Sequence, residues 1–441
     1  MRINRVRFEA FKSLYDVECN FDDMTVVTGP NGSGKSNLVE GLNFLSNVYE
    51  FGLEFAVSRA GGIENIAFRR SRRARRAVGF TVDISLDLAD LRTVEFGRRL
   101  RDNSNRPSQF RYRHTFSLKT AGESVLADYG VVDDLVELIG DDGRPYFRIS
   151  RKLNNIEGRY VDHPQISRHL AEAIAYPLSE EKYRELRPRR VSRTSLLSET
   201  FTYPNALSAV RRALAAVRVF QVSPSMLRIS GVPTPNAALG RYGDNLPGAA
   251  VQLQRRDKRA WSRVESAMNT IVPNLEGIEI AYTEDRRLAL QFRERGVGRP
   301  WSTGEVSDGT VQILALFVAL FDKRAPMLVI EEPENALHPW VLRQFIDICR
   351  EEGARQILMT THSPVLLNYV EPEQLRLLSM SDGRSILQPL FAFEPQLLHA
   401  VRNGEVSPFD VYDSGVIREA LPRGIYLEIE GGQGGANPDR H

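Results

Sequence analysis

At 441 residues, with a net charge of +2, 42% hydrophobic and 26% charged residues, the chain has the composition of a globular protein with room for two to three domains. No run of about 18 apolar residues occurs, which excludes a helical membrane span, and the N-terminus Met1-Arg2-Ile3-Asn4-Arg5-Val6 alternates like a strand, unlike a secretory leader. Cys19 and Cys349 stand far apart and near no other ligand-type cluster, so buried reduced thiols in a cytoplasmic protein are expected, with neither a disulfide nor a metal site.

Residues 2–9 alternate Ile3, Val6 and Phe8 with charged partners and predict a strand. Phe11-Lys12-Ser13-Leu14 turns the chain, and 17–21 is a second strand. Met24–Thr28 is an apolar, β-rich run. It leads into Gly29, Pro30, Asn31, Gly32, Ser33, Gly34, Lys35 and Ser36, after which Asn37 opens a stretch with apolar residues at helical spacing as far as Leu45. Strand, glycine-rich loop, helix is the arrangement of a phosphate-binding loop. The glycines let backbone N–H groups curl around a β-phosphate, and the helix points its positive end at the same anion. In that arrangement Lys35 reaches the β- and γ-phosphates, and Ser36 offers its hydroxyl to Mg²⁺. The loop alone does not separate kinases, GTPases and ATPases.

Residues 78–88 alternate almost perfectly and predict an antiparallel strand with one wet face; 110–118, 125–131 and 145–150 extend a β-rich lobe. Residues 164–219 turn helical, with helices near 165–176 and 205–219 carrying apolar stripes opposite arginines. The Pro- and Gly-rich segment 222–245 is a loop. Asp244 or Asn245 can cap a helix over 246–256, and a second helix spans 258–271. Strands 276–283 and 287–294 form a hairpin. No heptad pattern is sustained from Asn37 to Val306, which excludes a long coiled-coil arm.

The basic residues are overwhelmingly arginine, and six fall in eight positions: Arg69, Arg70, Arg72, Arg73, Arg75 and Arg76. Arg187, Arg189, Arg190 and Arg193, and Arg255, Arg256, Lys258 and Arg259, form weaker clusters. Such patches suit a nucleic-acid backbone or, equally, a solvated loop. With no base-reading motif, binding would be insensitive to sequence.

The second half of a nucleotide site follows. Ser302–Thr310 reads S-T-G-E-V-S-D-G-T and runs into an apolar helix through Leu320. Ser307, Asp308 and Gly309 either cap that helix or form an anion site at its N-terminus. Met327–Ile330 is a buried parallel strand, with Glu331 and Glu332 at its C-terminal edge, where ligands bind in open α/β sheets. Glu331 faces Mg²⁺ through water, and Glu332 orients or deprotonates the water that attacks the γ-phosphate. Pro339 opens a helix over 339–352. Residues 355–359 form a further strand that ends in Thr360-Thr361-His362-Ser363, placing His362 to sense a γ-phosphate by hydrogen bond.

The order of these motifs resembles the RecF/SMC-like predicted ATPases of the AAA family, the group that includes the ATPase half of OLD (overcoming lysogenization defect) proteins. The residues that carry the resemblance are Phe11-Lys12-Ser13, Gly29–Ser36, Ser307–Thr310, Glu331–Pro339 and Thr361-His362-Ser363. Gly243–Leu246 and Tyr412–Gly415 add to it. The resemblance implies an α/β, ABC-type P-loop ATPase head with a β-rich antiparallel lobe and a helical insertion. It also implies two heads packed head-to-tail, so that Ser307, Asp308 and Gly309 of one meet the γ-phosphate held at Lys35 of the other. Glu332 would then be the catalytic carboxylate and His362 the γ-phosphate sensor; Lys12 and Ser13 would lie near the nucleotide, and Asn335–His338 at the dimer seam.

Three departures stand out. Glu331 replaces the usual Asp, the signature reads V-S-D-G-T, and the glutamine that contacts Mg²⁺ in many such heads has only Gln109 as a candidate. No Asp-x-Asp cluster follows Ser363, so a strand pair and a tail are expected there, with no nuclease. The expected organisation is an N-terminal P-loop and β lobe over 1–160, a mainly helical insertion over 161–275, a C-terminal ATPase lobe over 276–425 and a disordered tail over 426–441. The expected protein is an ATP- and Mg²⁺-dependent switch. It works as a homodimer or higher even oligomer on DNA or on a separately encoded effector, in genome maintenance or phage defence. The alternative is a nucleotide-gated scaffold that holds and releases an effector without touching DNA.

Overall fold

A computed structural model describes residues 1–68, 76–87, 109–121, 128–140, 143–152, 155–160, 195, 206–353 and 355–421. The chain opens with an antiparallel hairpin, β1 (Arg2–Phe11) and β2 (Leu14–Asn20), and then leaves that sheet. β3 (Met24–Thr28) is buried at every position, as a strand covered on both faces must be. It delivers the glycine-rich loop to the helix Lys35–Phe51, whose seventeen residues make it the longest helix among those described. Short helices Leu53–Arg59 and Ile63–Ile66 bring the chain back to the first sheet. There β4 (Val78–Asp87), β5 (Gln109–Ala121), β6 (Asp128–Ile139), β7 (Pro145–Lys152) and β8 (Asn155–Tyr160) complete an antiparallel order β2-β1-β4-β5-β6-β7-β8.

The helix Lys35–Phe51 lies against this sheet. Phe44 stacks on Phe80 with ring centroids 5.2 Å apart, inside a group that also holds Phe8, Phe11 and Phe116. The approach is closest at Gly41, where a Cβ would sit 2.5 Å from the Phe8 ring. Fully burying one such ring contributes about 1.5–3 kcal/mol, so the phosphate loop stands on a well-anchored base.

The helical pattern expected over 205–219 stops earlier, at Ala215. Val217, Val219 and Phe220 favour extended backbone, and β9 (Arg218–Phe220) joins the edge of a second sheet. The expected helices over 246–256 and 258–271 form as read. Asn245 stands at the N-cap of the first, but in left-handed conformation (φ 61°) and without a side-chain cap. β10 (Leu275–Tyr282), β11 (Leu288–Glu294) and the short β12 (Trp301–Ser302) make a separate antiparallel sheet.

The apolar helix Asp308–Phe321 leads to β13 (Met327–Glu331), and the helix Pro339–Glu352 leads to β14 (Gln356–Thr360). β15 (Leu375–Ser381) and β16 (Arg384–Pro389) follow. The second sheet has the order β16-β15-β3-β14-β13-β9, parallel except for β16. Alternate residues feed two cores. Val27, Val329 and Leu358 pack toward the antiparallel lobe; Val26, Leu328, Ile330 and Met359 pack toward the helix Asp308–Phe321.

More than a strand pair follows Ser363. The helices Pro364–Tyr369, Pro395–Arg402 and Pro408–Asp413 pack beside the second sheet. Cys19 and Cys349 are buried free thiols, and burial pushes Cys19 up to about 12. No helix among the described residues is long and apolar enough to cross a membrane. The expected helix near 165–176, the arginines 69–75, the weaker cluster at 187–193 and the tail 426–441 lie outside the described residues.

Candidate functional site

The phosphate loop is built by two close approaches. Gly29 (φ 153°) passes so near Leu378 that a Cβ would overlap its carbonyl oxygen. Gly34 (φ 107°) leaves no room for a Cβ beside the hydroxyls of Ser385 and Ser13. Lys35 is 7% exposed, and its Nζ donates to the carbonyls of Gly29 (2.7 Å) and Pro30 (3.2 Å). Burial lowers its pKa to about 8, against the pull of Glu332, Glu331 and Glu334. The ammonium thus curls over the loop, where a phosphate would replace the carbonyls.

Ser13 is brought to this loop and Lys12 is turned aside. Asn37 Nδ2 donates to Ser13 Oγ at 2.7 Å, and Ser13 Oγ lies 2.7 Å from Ser385 Oγ. Lys12 (φ 49°) pairs with Glu40 on the loop helix. Asn31 and Gly32 are exposed at the loop tip.

β3, β14 and β13 are adjacent and parallel, so their C-terminal ends release three motifs side by side. Glu331 is 9% exposed, and its Oε1 accepts from Ser36 Oγ at 2.7 Å. Glu332 takes a left-handed backbone (φ 48°), its N–H donating to Thr360 O at 2.9 Å. This turn swings its carboxylate off the strand, where Asn335 Nδ2 donates to Oε2 at 3.0 Å. Glu334 ties the next strand in. Its Oε1 accepts from Thr361 Oγ1 (2.7 Å) and His362 N (3.0 Å), and its Oε2 is buried without a partner. Burial and then Lys35 hold the His362 pKa below the ordinary histidine value, with Glu332 pulling the other way.

The signature segment forms a helix N-terminus. Ser307 Oγ accepts from Thr310 N at 3.2 Å, the cap expected of it. Gly309 abuts the loop after β13, where a Cβ would lie 2.8 Å from Ala336 O. Among the described residues, no side-chain hydrogen bond joins Ser307, Asp308 or Gly309 to Lys35 of the same chain; their partners are Thr310 and Arg228.

Residues 24–368 match the family model described as "AAA domain, putative AbiEii toxin, Type IV TA system". The chain belongs to this AAA-domain family. It is 22% identical over 417 residues to the OLD nuclease of Thermus scotoductus, a match that takes in 91% of this chain and 66% of that protein, so the chain spans just under two thirds of its relative. Among solved structures it is similar to an Smc head bound to the C-winged helix domain of ScpA (TM-score 0.48, 14% identity, 88% of this chain and 98% of that one). It is also similar to the Pyrococcus furiosus Smc head with an extended coiled coil, bound to the C-terminal domain of ScpA (TM-score 0.43, 15% identity, 91% and 99%).

The oxygen donors of this AAA domain suit Mg²⁺. Ser36 Oγ and Glu331 Oε1 already face each other, and no group of three His, Cys, Asp or Glu residues able to enclose a metal occurs among the described residues. A hard ion held by few protein oxygens, with water and phosphate as the remaining ligands, is how Mg²⁺ is commonly bound.

Gln109 lies at the wrong end of the antiparallel lobe. It opposes Asp87, beyond the Arg2–Ser85 pair, whereas the turn at Lys12 lies past Glu9–Gly79–Ser117, about 26 Å along β5 at 3.3 Å per residue. Arg76, the described member of the arginine run, lies 5.0 Å over the Tyr15 ring and 3.6 Å from Glu9. Sequence reasoning passed over Ser385, Arg228 and the bridging role of Glu334. The first two are placed by contacts across at least 75 positions and carry no local signal.

Proposed function

We propose that this chain binds and hydrolyses ATP with Mg²⁺, closes head-to-tail with a second copy, and works as a switch on DNA or on a partner effector. The observation that supports this most is the delivery of Gly29–Ser36, Thr361–Ser363 and Glu331–Glu332 to one sheet edge by β3, β14 and β13. In this reading the loop amides and Lys35 cradle the β- and γ-phosphates. Mg²⁺, held by Ser36 with Glu331 behind it, would neutralise charge on the phosphate oxygens. Glu332 orients a water and accepts its proton as the water oxygen bonds to the γ-phosphorus and the β–γ bridging bond breaks. His362 donates a hydrogen bond to the γ-phosphate. Ser307, Asp308 and Gly309 complete the site in trans.

The same reading takes 1–160, 161–275 and 276–425 as the P-loop and β lobe, the insertion and the C-terminal lobe. The DNA arm rests on the arginines of 69–76. Arg76, engaged with Tyr15 and Glu9, is better explained as a structural contact, which favours an effector-holding scaffold as the second reading.

The test is ATP hydrolysis and oligomer mass for wild type and Glu332→Gln, with and without duplex DNA. The expected result is an ATP-dependent dimer trapped by Glu332→Gln, with hydrolysis lost. Acceleration of the wild type by DNA selects the DNA switch; a trapped dimer indifferent to DNA selects the scaffold. A Glu332→Gln protein that stays monomeric with ATP overturns the head-to-tail assignment.

A further inference from the structure

The signature helix carries a carboxylate where an anion has to dock. Asp308 is in the first turn of Asp308–Phe321, and its side chain is 55% exposed. A carboxylate there suits the helix dipole but repels an incoming triphosphate. The neighbouring carboxylate, Glu305, is already engaged by Arg299 (2.7 Å) and by Ser302. Asp308 is met by Arg228, whose Nη2 lies 2.5 Å from Oδ1. The same guanidinium donates to Val306 O at 2.9 Å and to Thr303 O. One cation therefore ties down the backbone leading into the signature and cancels its exposed charge.

Arg228 is itself held from the catalytic sheet. It follows the short helix Pro224–Leu227, whose Leu227 is fully buried. That helix hangs from β9, which pairs with Leu328–Ile330, the residues just before Glu331. Gln221 N and Ser223 N donate to Arg241 O (2.8 Å) and Tyr242 O (3.0 Å), fixing the connection.

We propose that Arg228 is a positioning residue that makes the Ser307–Gly309 face receptive to a triphosphate held by a second copy of this chain, by neutralising Asp308 and fixing 303–306. This rests on the head-to-tail reading above. A fork that engages two carbonyls and a carboxylate at once is a task for arginine, which lysine cannot reproduce.

The test uses the full chain in the Glu332→Gln background. Dimer formation is followed by light scattering against ATP concentration, and nucleotide binding by the monomer with a fluorescent ATP analogue. Arg228→Ala is expected to raise the ATP concentration for half-dimerisation about tenfold, the scale of one charge interaction at a helix end. Monomer nucleotide binding stays unchanged. Adding Asp308→Asn to Arg228→Ala returns the midpoint to within about threefold, since the repelling charge is gone. Arg228→Gln keeps a donor for the carbonyls without the charge; it shifts the midpoint in the same direction and serves if the alanine variant does not fold. An unshifted midpoint, or a shift that Asp308→Asn does not repair, overturns the inference while ATP-driven dimerisation stands. A Glu332→Gln parent that never dimerises removes the underlying reading, and the inference with it.

Discussion

The hydroxyl of Ser385 donates to the carbonyl oxygen of Ser33 at 2.7 Å, joining positions 352 residues apart. With that proton committed, Ser13 must donate to Ser385, and Ser13 in turn accepts from Asn37. The circuit begins and ends on the phosphate loop and its helix, and passes through the β1–β2 turn and β16. Ser385→Ala removes both bonds of that hydroxyl, a loss of about 1–3 kcal/mol together, and should weaken ATP binding at least about fivefold. Gly34→Ala should abolish binding, because its Cβ has no space beside Ser385 and Ser13 and its φ of 107° suits only glycine. Titration with a fluorescent ATP analogue checks both. Equal losses would mean that the circuit, and not the backbone shape, limits binding.

Lys35 makes nucleotide binding pH-dependent. Burial lowers its pKa to about 8 in the free protein, and a bound triphosphate would raise it. A group whose pKa rises on binding takes up a proton, so affinity is highest below pH 8 and falls as pH climbs through and above it. Calorimetry at pH 8.5 in buffers of different ionisation enthalpy should show net proton uptake by the protein. In Lys35→Met that uptake should vanish together with most of the affinity.

The motifs with a local pattern could be read in the sequence: the glycine loop between strand and helix, the four-residue apolar run before Glu331, and the serine cap at 307. Helix limits at 246–256, 258–271 and 339–352 were legible because proline or an acidic cap marks their starts. The end of the helix at Ala215 was not, because Val217 continues the helical apolar stripe and Arg218–Phe220 become strand only by pairing with Leu328–Ile330. Ser385 and Arg228 were illegible for the same reason. Each owes its place to a partner far along the chain, and a lone serine in a strand or a lone arginine after a short helix carries no periodic signal.

Glu334 should prove structural as well as local to the site. Its Oε1 receives both Thr361 Oγ1 and His362 N, linking the ends of β13 and β14. Glu334→Ala strands two donors at a cost of about 1–3 kcal/mol each if they stay dry, so melting temperature and ATPase rate should both drop. Glu334→Gln keeps an acceptor oxygen and should retain most of the stability. A Glu334→Ala protein with wild-type melting and turnover would show that His362 needs no such support.

Gly309 separates dimer closure from nucleotide capture. Its α-carbon faces the loop after β13, and an alanine Cβ would lie 2.8 Å from the carbonyl oxygen of Ala336, itself held in left-handed conformation (φ 62°). Backbone atoms cannot yield as a long side chain would, so the signature helix has to shift away from Asn335–His338. Lys35 and its loop lie outside that contact. Gly309→Ala should therefore bind nucleotide as a monomer with unchanged affinity, while its ATP-dependent dimerisation in the Glu332→Gln background weakens, because the displaced helix gives up close contacts with the second copy. Loss of monomer binding would mean that the signature helix supports its own chain's nucleotide site, which would refute the in-trans assignment of Ser307–Gly309.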